Sequence, residues 1–340
     1  MSDQTWTEPG AYPVANGVHR IPLPLPMDGL RAVNVYVIET DDGLVLVDAG
    51  WAVPESRTAF DAALKQIGHS VKDIRRFLVT HVHRDHYTQA VAVRREVGSH
   101  VVLGIGDKPS MDLMHDDTLN EDPNLDRLRS AGALELAEGW AAMLPKERPP
   151  MDDYGYPDEW LDRDVGIEVG TRTLDAVSTP GHTQGHYVFA DRAAGLLFAG
   201  DHVLPTITPS IGFEPAYVQQ PLRDFLGSLA KVRGLPDLKL LPAHGPVAES
   251  SHARIDELVT FHDVRLAKSL DAVLGGARTA WEVAKELPWT RRERRATDLN
   301  PFDATLAAFE TLAHLELLAA RGDVTRTEAD GTVVFGSPPA

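Results

Sequence analysis

The stretch Thr80-His81-Val82-His83-Arg84-Asp85-His86 constrains this sequence more than any other. It places three imidazoles and one carboxylate directly after Phe77-Leu78-Val79, an apolar run that predicts a buried strand. The cluster therefore begins where a strand ends and the chain turns outward. Imidazole and carboxylate are ligands that borderline divalent metals such as zinc prefer. Because such groups crowd together when a cation compensates them, the spacing predicts a metal site.

Three later strands end in the same way. The apolar runs 174–181, 195–200 and 238–243 are followed by His182, Asp201 and His244. With the first cluster, these strand ends can gather their ligands at one edge of a sandwich of sheets. An earlier strand, 44–47, ends at Asp48 and is joined to 33–38 through an Asp-Gly turn, which predicts a hairpin.

The surrounding pattern predicts alternating strands and helices. The prolines of 18–26 favour an edge strand, because proline cannot donate to a neighbouring strand. Apolar spacing predicts helices over 56–67 and 89–97 and a strand over 100–103.

Composition limits the possible functions. The 340 residues, 43% hydrophobic and 24% charged, suggest about two domains of a globular protein. The absence of cysteine excludes disulfides, thiolate ligands and a Cys nucleophile, and it suits a cytoplasmic location. A formal net charge of −17 disfavours nucleic acid and anionic membranes as partners and favours a small-molecule substrate. We expect no signal peptide, since residues 1–10 are polar, and no membrane span.

Two regions depart from the strand-end pattern. Residues 106–164 are helical, acidic and interrupted by proline, which predicts either a surface insertion or a lid beside a substrate. Residues 251–340 predict three helices and a hairpin in a winged-helix-like arrangement, with Asp303 as an N-cap of the third helix. That helix carries Glu310 and Glu316, so an interface or a pocket wall is favoured over DNA binding. We therefore expect a catalytic domain over 1–250 and a C-terminal domain over 251–340.

The ligand-type residues as a set resemble the metallo-β-lactamase-fold hydrolase superfamily over roughly residues 18–248. The residues that carry the resemblance are His81, His83, Asp85, His86, His182, Asp201 and His244. The resemblance implies an α+β fold, a four-layer αββα sandwich with the site at one edge. It implies that His81, His83 and His182 hold one metal, that Asp85, His86 and His244 hold a second, and that Asp201 bridges both. Asp48 would support the loop that carries the ligands without binding a metal itself. The alternative is that Asp48 only stabilises its own turn.

The chemistry expected of this set is hydrolysis. Two divalent ions, with zinc preferred and iron or manganese as alternatives, would supply a bridging hydroxide, with Asp85 and Asp201 as the catalytic carboxylates. No Ser or Cys nucleophile is then needed. The expected substrates are esters, thioesters or lactones, with phosphodiesters as an alternative.

Departures from the family pattern narrow the activity. β-Lactamases of the superfamily mostly have Cys or Ser where Asp201 stands, and flavodiiron proteins have Glu where His83 stands. The C-terminal region does not match the glutathione-binding region of glyoxalase II, and it looks more like a lactamase-like group that includes an endoribonuclease. RNA cleavage and a persulfide dioxygenase with a single iron stay open, as does a homo-oligomer. Weaker candidates are Tyr87 and Tyr217 as substrate contacts and His186 and His202 beside the ligands, with ordinary packing as the alternative for each.

Overall fold

The computed structural model describes residues 5–26, 29–119, 121–145, 151–290 and 292–338, and in these it contains two sheets and a separate hairpin. The first sheet has its strands in chain order: β1 (Tyr12–Ala15), β2 (Val18–Pro24), β3 (Ala32–Thr40), β4 (Gly43–Val47), β5 (Ile74–Leu78), β6 (His100–Gly104) and β7 (Glu159–Leu161). The second sheet has the order β12-β11-β10-β9-β8: β8 (Val165–Val169), β9 (Arg172–Ser178), β10 (Tyr187–Asp191), β11 (Leu196–Gly200) and β12 (Lys239–Pro242). The hairpin is β13 (Thr325–Ala329) and β14 (Thr332–Gly336).

The α-helices follow the strands at intervals along the chain. They are α1 (Pro54–Gln66), α2 (Arg84–Val97), α3 (Lys108–Met114), α4 (Pro123–Ser130), α5 (Leu134–Met143), α6 (Pro221–Arg233), α7 (Ser251–Leu274), α8 (Ala280–Glu286) and α9 (Pro301–Arg321). None of the helices formed by the described residues combines the length and apolarity needed to cross a bilayer.

The alternation of side chains along β3 and β4 produces the layers. Val33, Val35 and Val37 face a core shared with α1 and α2, whereas Tyr36 and Ile38 face a second core shared with the other sheet. Since successive strand residues point to opposite faces, each strand contributes to both cores. The second core also contains residues of β9 to β12, so the sheets pack face to face. The predicted α+β αββα sandwich is confirmed.

Three local predictions were wrong. The strand β2 is not at the edge, because β1 pairs with its first residues; Pro22 and Pro24 lie beyond that pairing and oppose β3. The helix predicted to begin at 89 begins at Arg84, so the end of the histidine motif is helical. Part of the predicted insertion belongs to the first sheet, because β7 pairs in parallel with β6.

The chain divides into two compact units. The first contains residues 1–111, 150–209 and 228–256, and the second contains 112–149, 210–227 and 257–340. This division differs from the predicted boundary at residue 250, because part of the insertion packs with the C-terminal helices. Trp281 donates its backbone N–H to Ala131 O over 3.0 Å, and a Cβ at Gly132 would meet Thr279.

The second unit contains α8, α9, the hairpin and all but the first turns of α7, the elements predicted for the C-terminal region. Thr279 and Glu282 form the predicted capping box of α8. The cap of α9 is Asn300 and not Asp303: the Asn300 side chain accepts the N–H of Asp303, and Pro301 occupies the first helical position. The winged-helix interpretation of these elements stays a prediction.

Candidate metal site

The predicted ligands lie at the ends of strands in the first unit. The motif follows β5, and α2 begins inside it, since the N–H groups of His86 and Tyr87 both donate to His83 O. Asp85 therefore lies in the first turn of the helix, beside His86. The remaining ligands follow β9, β11 and β12, which end at the same side of the second sheet. The segments that follow these strands thus bring the predicted ligands together.

The first group contains His81, His83, His182 and Asp201. His83 Nδ1 lies 2.9 Å from His81 Nε2 and 3.1 Å from His182 Nε2. His182 Nε2 lies 3.4 Å from Asp201 Oδ2. These ligand atoms all lie within 4.8 Å of one another, which is the spacing of groups around one ion.

The second group contains Asp85, His86 and His244. His244 Nε2 lies 3.4 Å from Asp85 Oδ2, and His86 Nε2 lies 3.7 Å from the same oxygen. Asp201 Oδ1 lies 3.4 Å from His244 Nε2 and 3.6 Å from His86 Nε2. Asp201 therefore has one oxygen toward each group.

The unsatisfied atoms of this cluster fit a metal. Within the described residues, three buried atoms that face the groups have no hydrogen-bond partner: His86 Nε2, Asp201 Oδ1 and His244 Nε2. A buried polar atom without a partner is costly. All three atoms are of the kind that binds zinc, and the neighbouring carboxylates offset positive charge. The donor set can hold divalent metal ions.

The pKa shifts follow the positions of the carboxylates. Burial lowers the pKa of His81 and His83, the latter to about 3, and the neighbouring imidazoles add to the effect. Burial also acts to lower the pKa of His86, but Asp48, Asp85 and Asp201 raise it to about 10. His81 and His83 are therefore held neutral, the form of histidine that binds metals. In the second group the carboxylates attract a positive charge, which a metal ion can supply.

Asp48, at the end of β4, contacts two residues of the histidine motif. Its Oδ2 lies 2.9 Å from His86 Nδ1, and its Oδ1 accepts from Thr80 N over 2.8 Å and from Thr80 Oγ1 over 2.9 Å. Asp48 has a φ of 62°, a left-handed conformation that Asp tolerates better than most residues. The acceptor at Nδ1 fixes the tautomer in which His86 Nε2 is free to bind a metal.

Residues of β3 hold the loop that carries His244. The Asn34 amide donates to Pro242 O and Gly245 O, each over 2.9 Å, and Tyr36 Oη donates to Pro242 O over 2.8 Å. His244 Nδ1 donates to Ala32 O over 2.8 Å, which directs Nε2 into the site. One strand of the first sheet thus positions a ligand of the second.

His186 connects two ligand loops. Its Nε2 accepts the N–H of Asp201 over 3.2 Å, so its Nδ1 carries the proton and donates to Thr179 Oγ1 over 2.8 Å. Its ring stacks on His81 with centroids 5.1 Å apart. Burial lowers its pKa, followed by the charges of neighbouring histidines, which keeps this connection neutral.

Asp107 holds two ligand loops with one carboxylate. Its Oδ2 accepts the N–H of Val82 over 2.8 Å, and its Oδ1 accepts the N–H of Gly185 over 2.9 Å. The backbones approach closely here, since a Cβ at Gly185 would lie 2.4 Å from Asp107. Burial raises its pKa to about 6, and these donors act in the opposite direction. Asp107 therefore positions the residues around His81, His83 and His182.

The structure shows contacts of other kinds for the remaining candidates. Tyr87 is buried, and its hydroxyl donates to Gly155 O over 2.5 Å, an arrangement that supports packing. Tyr217 belongs to the second unit, where the Arg127 guanidinium lies 4.7 Å from its ring centroid. His202 is buried, and burial lowers its pKa to about 3.

The sequence contained little signal for the positioning residues. Thr80 could have been found from its place directly before the motif. Asn34 contacts Pro242, 208 residues away in the sequence, and Asp107 contacts Gly185, 78 residues away. Local spacing therefore does not reveal these contacts.

Comparison with known proteins identifies relatives of this chain. The family model described as the metallo-beta-lactamase superfamily matches residues 28–244. A probable metallo-hydrolase of Bacillus subtilis is 23% identical over 335 residues, which is 93% of this chain and 96% of the relative. A hydroxyacylglutathione hydrolase of Bartonella quintana is 31% identical over 49% of this chain and 62% of its own length. The chain spans only 62% to 66% of the length of three curated relatives that it matches.

A solved structure extends the likeness to nearly the whole chain. A metallo-beta-lactamase family protein of Thermus thermophilus superposes with a TM-score of 0.78 and 25% identity. The match covers 96% of this chain and 100% of that one. The likeness therefore includes residues outside the sandwich.

Proposed function

Because the chain belongs to the metallo-beta-lactamase superfamily, a group of metal-dependent hydrolases in general, we propose that it hydrolyses an ester, thioester or lactone bond of a small molecule. One observation carries the proposal. Seven imidazole and carboxylate side chains, which follow four different strands, converge in two groups. Such a set is costly to bury without cations and is suited to hydrolysis with them.

The two groups support two metal ions. Asp201 has Oδ2 toward the first group and Oδ1 toward the second, as a shared ligand requires. A site for a single iron would use the first group and leave His244 and His86 without a role. The all-nitrogen and oxygen donor set favours zinc in our proposal, with iron or manganese as alternatives.

The protein's own side chains would transfer the proton and hold the histidine ligand in the required tautomer. Bound divalent ions supply Lewis acidity and a water that loses its proton near neutral pH. Asp85 has the most exposed carboxylate of the set, with 12% of its side chain accessible, so this carboxylate can accept a proton from the attacking water and pass it to the leaving group. Asp48 keeps His86 in the tautomer that presents Nε2.

An acyl bond is the substrate feature that we favour. The relative from Bartonella quintana is named a hydroxyacylglutathione hydrolase, and we extend hydrolysis of an acyl group to this chain. The net charge of −17 favours a small molecule over a nucleic acid.

The test uses the metal-loaded full chain. We expect hydrolysis of at least one member of a panel of aryl esters, acyl thioesters and lactones, loss of activity with a chelator, and recovery on adding zinc. Asp85→Ala serves as the control and should remove activity. Cleavage of single-stranded RNA with an inactive acyl panel would replace this proposal by a nuclease. Persulfide-dependent oxygen uptake with one iron per chain would replace it by a dioxygenase.

A further inference from the structure

Arg20 is a buried cation without a carboxylate partner. The residue is 8% exposed, and in the part of the chain that the structure describes its guanidinium forms no ion pair. Its Nη1 donates to Trp6 O over 2.7 Å and to Asn34 Oδ1 over 2.8 Å, and its guanidinium carbon lies 5.0 Å from the ring centroid of Tyr12. Burying a charge without an opposite charge costs free energy, so packing alone does not account for an arginine at this position.

The pairing of β2 with β3 places Arg20 beside the residues that hold the His244 loop. Arg20 lies opposite Tyr36, and Asn34 is two residues from Tyr36, so all three side chains share one face of the first sheet. This face packs against the second sheet, because Tyr36 belongs to the core between the two sheets. Diagonal neighbours on paired strands are within reach of long side chains, and arginine at 20 therefore reaches the amide at 34.

Arg20 fixes the orientation of the Asn34 amide. The amide oxygen accepts from Arg20, which leaves the NH2 group to donate to Pro242 O and Gly245 O, each over 2.9 Å. If the amide were turned over, its NH2 group would face a guanidinium that can only donate, and its oxygen would face two carbonyl oxygens. Pro242 and Gly245 stand on either side of His244 in the chain. The orientation of one amide therefore determines whether the His244 loop is held on both sides.

We propose that Arg20 is a positioning residue for the second group of ligands. Through Asn34 it holds His244 in the place from which Nε2 lies 3.4 Å from both Asp85 Oδ2 and Asp201 Oδ1. This inference rests on the proposed function, since it concerns a ligand of the second metal ion. The first group contains no residue of the His244 loop, so the effect of Arg20 should be confined to the second ion.

The test is a double-mutant cycle measured by cobalt binding. The full chain is stripped with a chelator and titrated with Co(II), whose visible absorption reports the geometry of its ligands. In Arg20→Met we expect the dissociation constant of the second equivalent to rise about tenfold, the lower end for residues that support ligands, and that of the first to stay within about twofold. Asn34→Ala should weaken the second equivalent at least as much. In the Asn34→Ala background, Arg20→Met should add less than about twofold, since Arg20 then has no amide to orient.

Two further variants separate positioning from stability. Arg20→Lys keeps an N–H donor and should recover most of the loss. Arg172→Met removes the partner of the buried Asp191 and should leave both dissociation constants unchanged. Additive losses in the double variant, an equal loss for both equivalents, or no loss in Arg20→Met would overturn the inference. If Arg20→Met does not fold, Arg20→Gln, which has a shorter side chain, replaces it in the cycle with the same expectations.

A measurement without metal separates this inference from the hydrolase proposal. His244 Nδ1 donates to Ala32 O over 2.8 Å, so its N–H should exchange slowly with solvent in isotope-labelled, metal-free protein. In Arg20→Met we expect this exchange to become about tenfold faster, and exchange of the His186 Nδ1–H, which donates to Thr179, to stay unchanged. If the wild type binds no metal but the exchange depends on Arg20, the hydrolase proposal fails and the positioning role stands. An unchanged exchange rate at His244 would overturn the positioning role.

Discussion

Two buried clusters of histidine and carboxylate in this protein have different consequences. In the first unit, the ligand atoms of seven residues converge in two groups within 4.8 Å. In the second unit, His262 Nδ1 lies 3.2 Å from His314 Nε2, His314 Nδ1 donates to Glu310 O over 2.7 Å, and Glu310 Oε1 lies 3.9 Å from Arg265 Nε. Both clusters are buried and rich in titratable groups.

The difference lies in where the polar atoms point. In the second cluster the histidines bond to each other and to a backbone carbonyl, and Arg265 supplies the positive charge beside Glu310. Within the described part of the chain, both groups able to hold a metal with three or more ligands belong to the first unit. Burial of histidine and glutamate is therefore insufficient for a metal site, which needs several free lone pairs directed at one point.

The largest effect should come from Asp201→Ala. The variant removes the carboxylate that faces both groups, so we expect loss of bound metal and a fall in kcat/KM of more than about 100-fold. This effect is larger than the one expected for variants of residues that only hold the ligands in place. Metal analysis and ester hydrolysis measure the two outcomes. The matched control, Glu310→Gln, alters a buried carboxylate of the second cluster and should keep the metal content of the wild type. A variant at 201 that keeps full metal content would contradict the assignment.

Asp48→Asn should have the next largest effect. Asn adopts the left-handed backbone of this position, so the fold is retained. Its amide group can face His86 Nδ1 as a donor, which favours the tautomer with a proton on Nε2. We expect metal affinity to fall about 10- to 100-fold in a chelator competition. Asp191→Asn alters a buried carboxylate paired with Arg172 and should leave affinity unchanged.

Asp107→Asn should weaken metal binding about tenfold, at the lower end for residues that support ligands. An amide has one oxygen, so it can accept from Val82 or from Gly185 but not from both with its two ends. The same competition assay measures the change. Asp164→Asn, which alters an acceptor of the Ser178 N–H outside the ligand loops, is the control. Equal metal affinity of the wild type and the variant at 107 would show that the ligand loops keep their conformation without the Asp107 carboxylate.

His262→Leu should change stability and leave metal binding intact. Burial, followed by Arg265, lowers the pKa of His262 to about 3. The unfolded chain then binds more protons below pH 6.5, so the neutral histidine costs stability as pH falls from 6.5 toward 3, at about 1.4 kcal/mol per pH unit. Leucine removes this dependence. The free energy of unfolding in urea should fall less between pH 7 and pH 5 in the variant than in the wild type. An equal fall in both proteins would contradict a neutral His262.

The sandwich and the convergence of the ligand-type residues could be predicted from the sequence because both have local signals. The hairpin of 33–38 and 44–47 carries an Asp-Gly turn, and the ligand-type residues lie on the segments that follow apolar strands. The residues that hold the ligand loops in place could not be predicted in this way. Asn34 and Asp107 contact backbone groups of distant loops, and nothing in their own neighbours marks these contacts.

The boundaries of elements and units were harder to predict for a related reason. Arg84 starts α2 inside the motif because the His83 carbonyl accepts two N–H groups, which spacing alone does not show. Residues 112–149 join the second unit because their contacts are with the C-terminal helices, and no change of composition marks that partner. Long-range contacts decide both outcomes.

The number of metal ions bound per chain tests the central claim most directly. The full chain, stripped with a chelator and titrated with zinc under calorimetry, should bind two equivalents, and elemental analysis after desalting should find two zinc ions per chain. Binding of one ion or none by the wild type would contradict the account, since the second group of Asp85, His86 and His244 would then lack the role proposed for it.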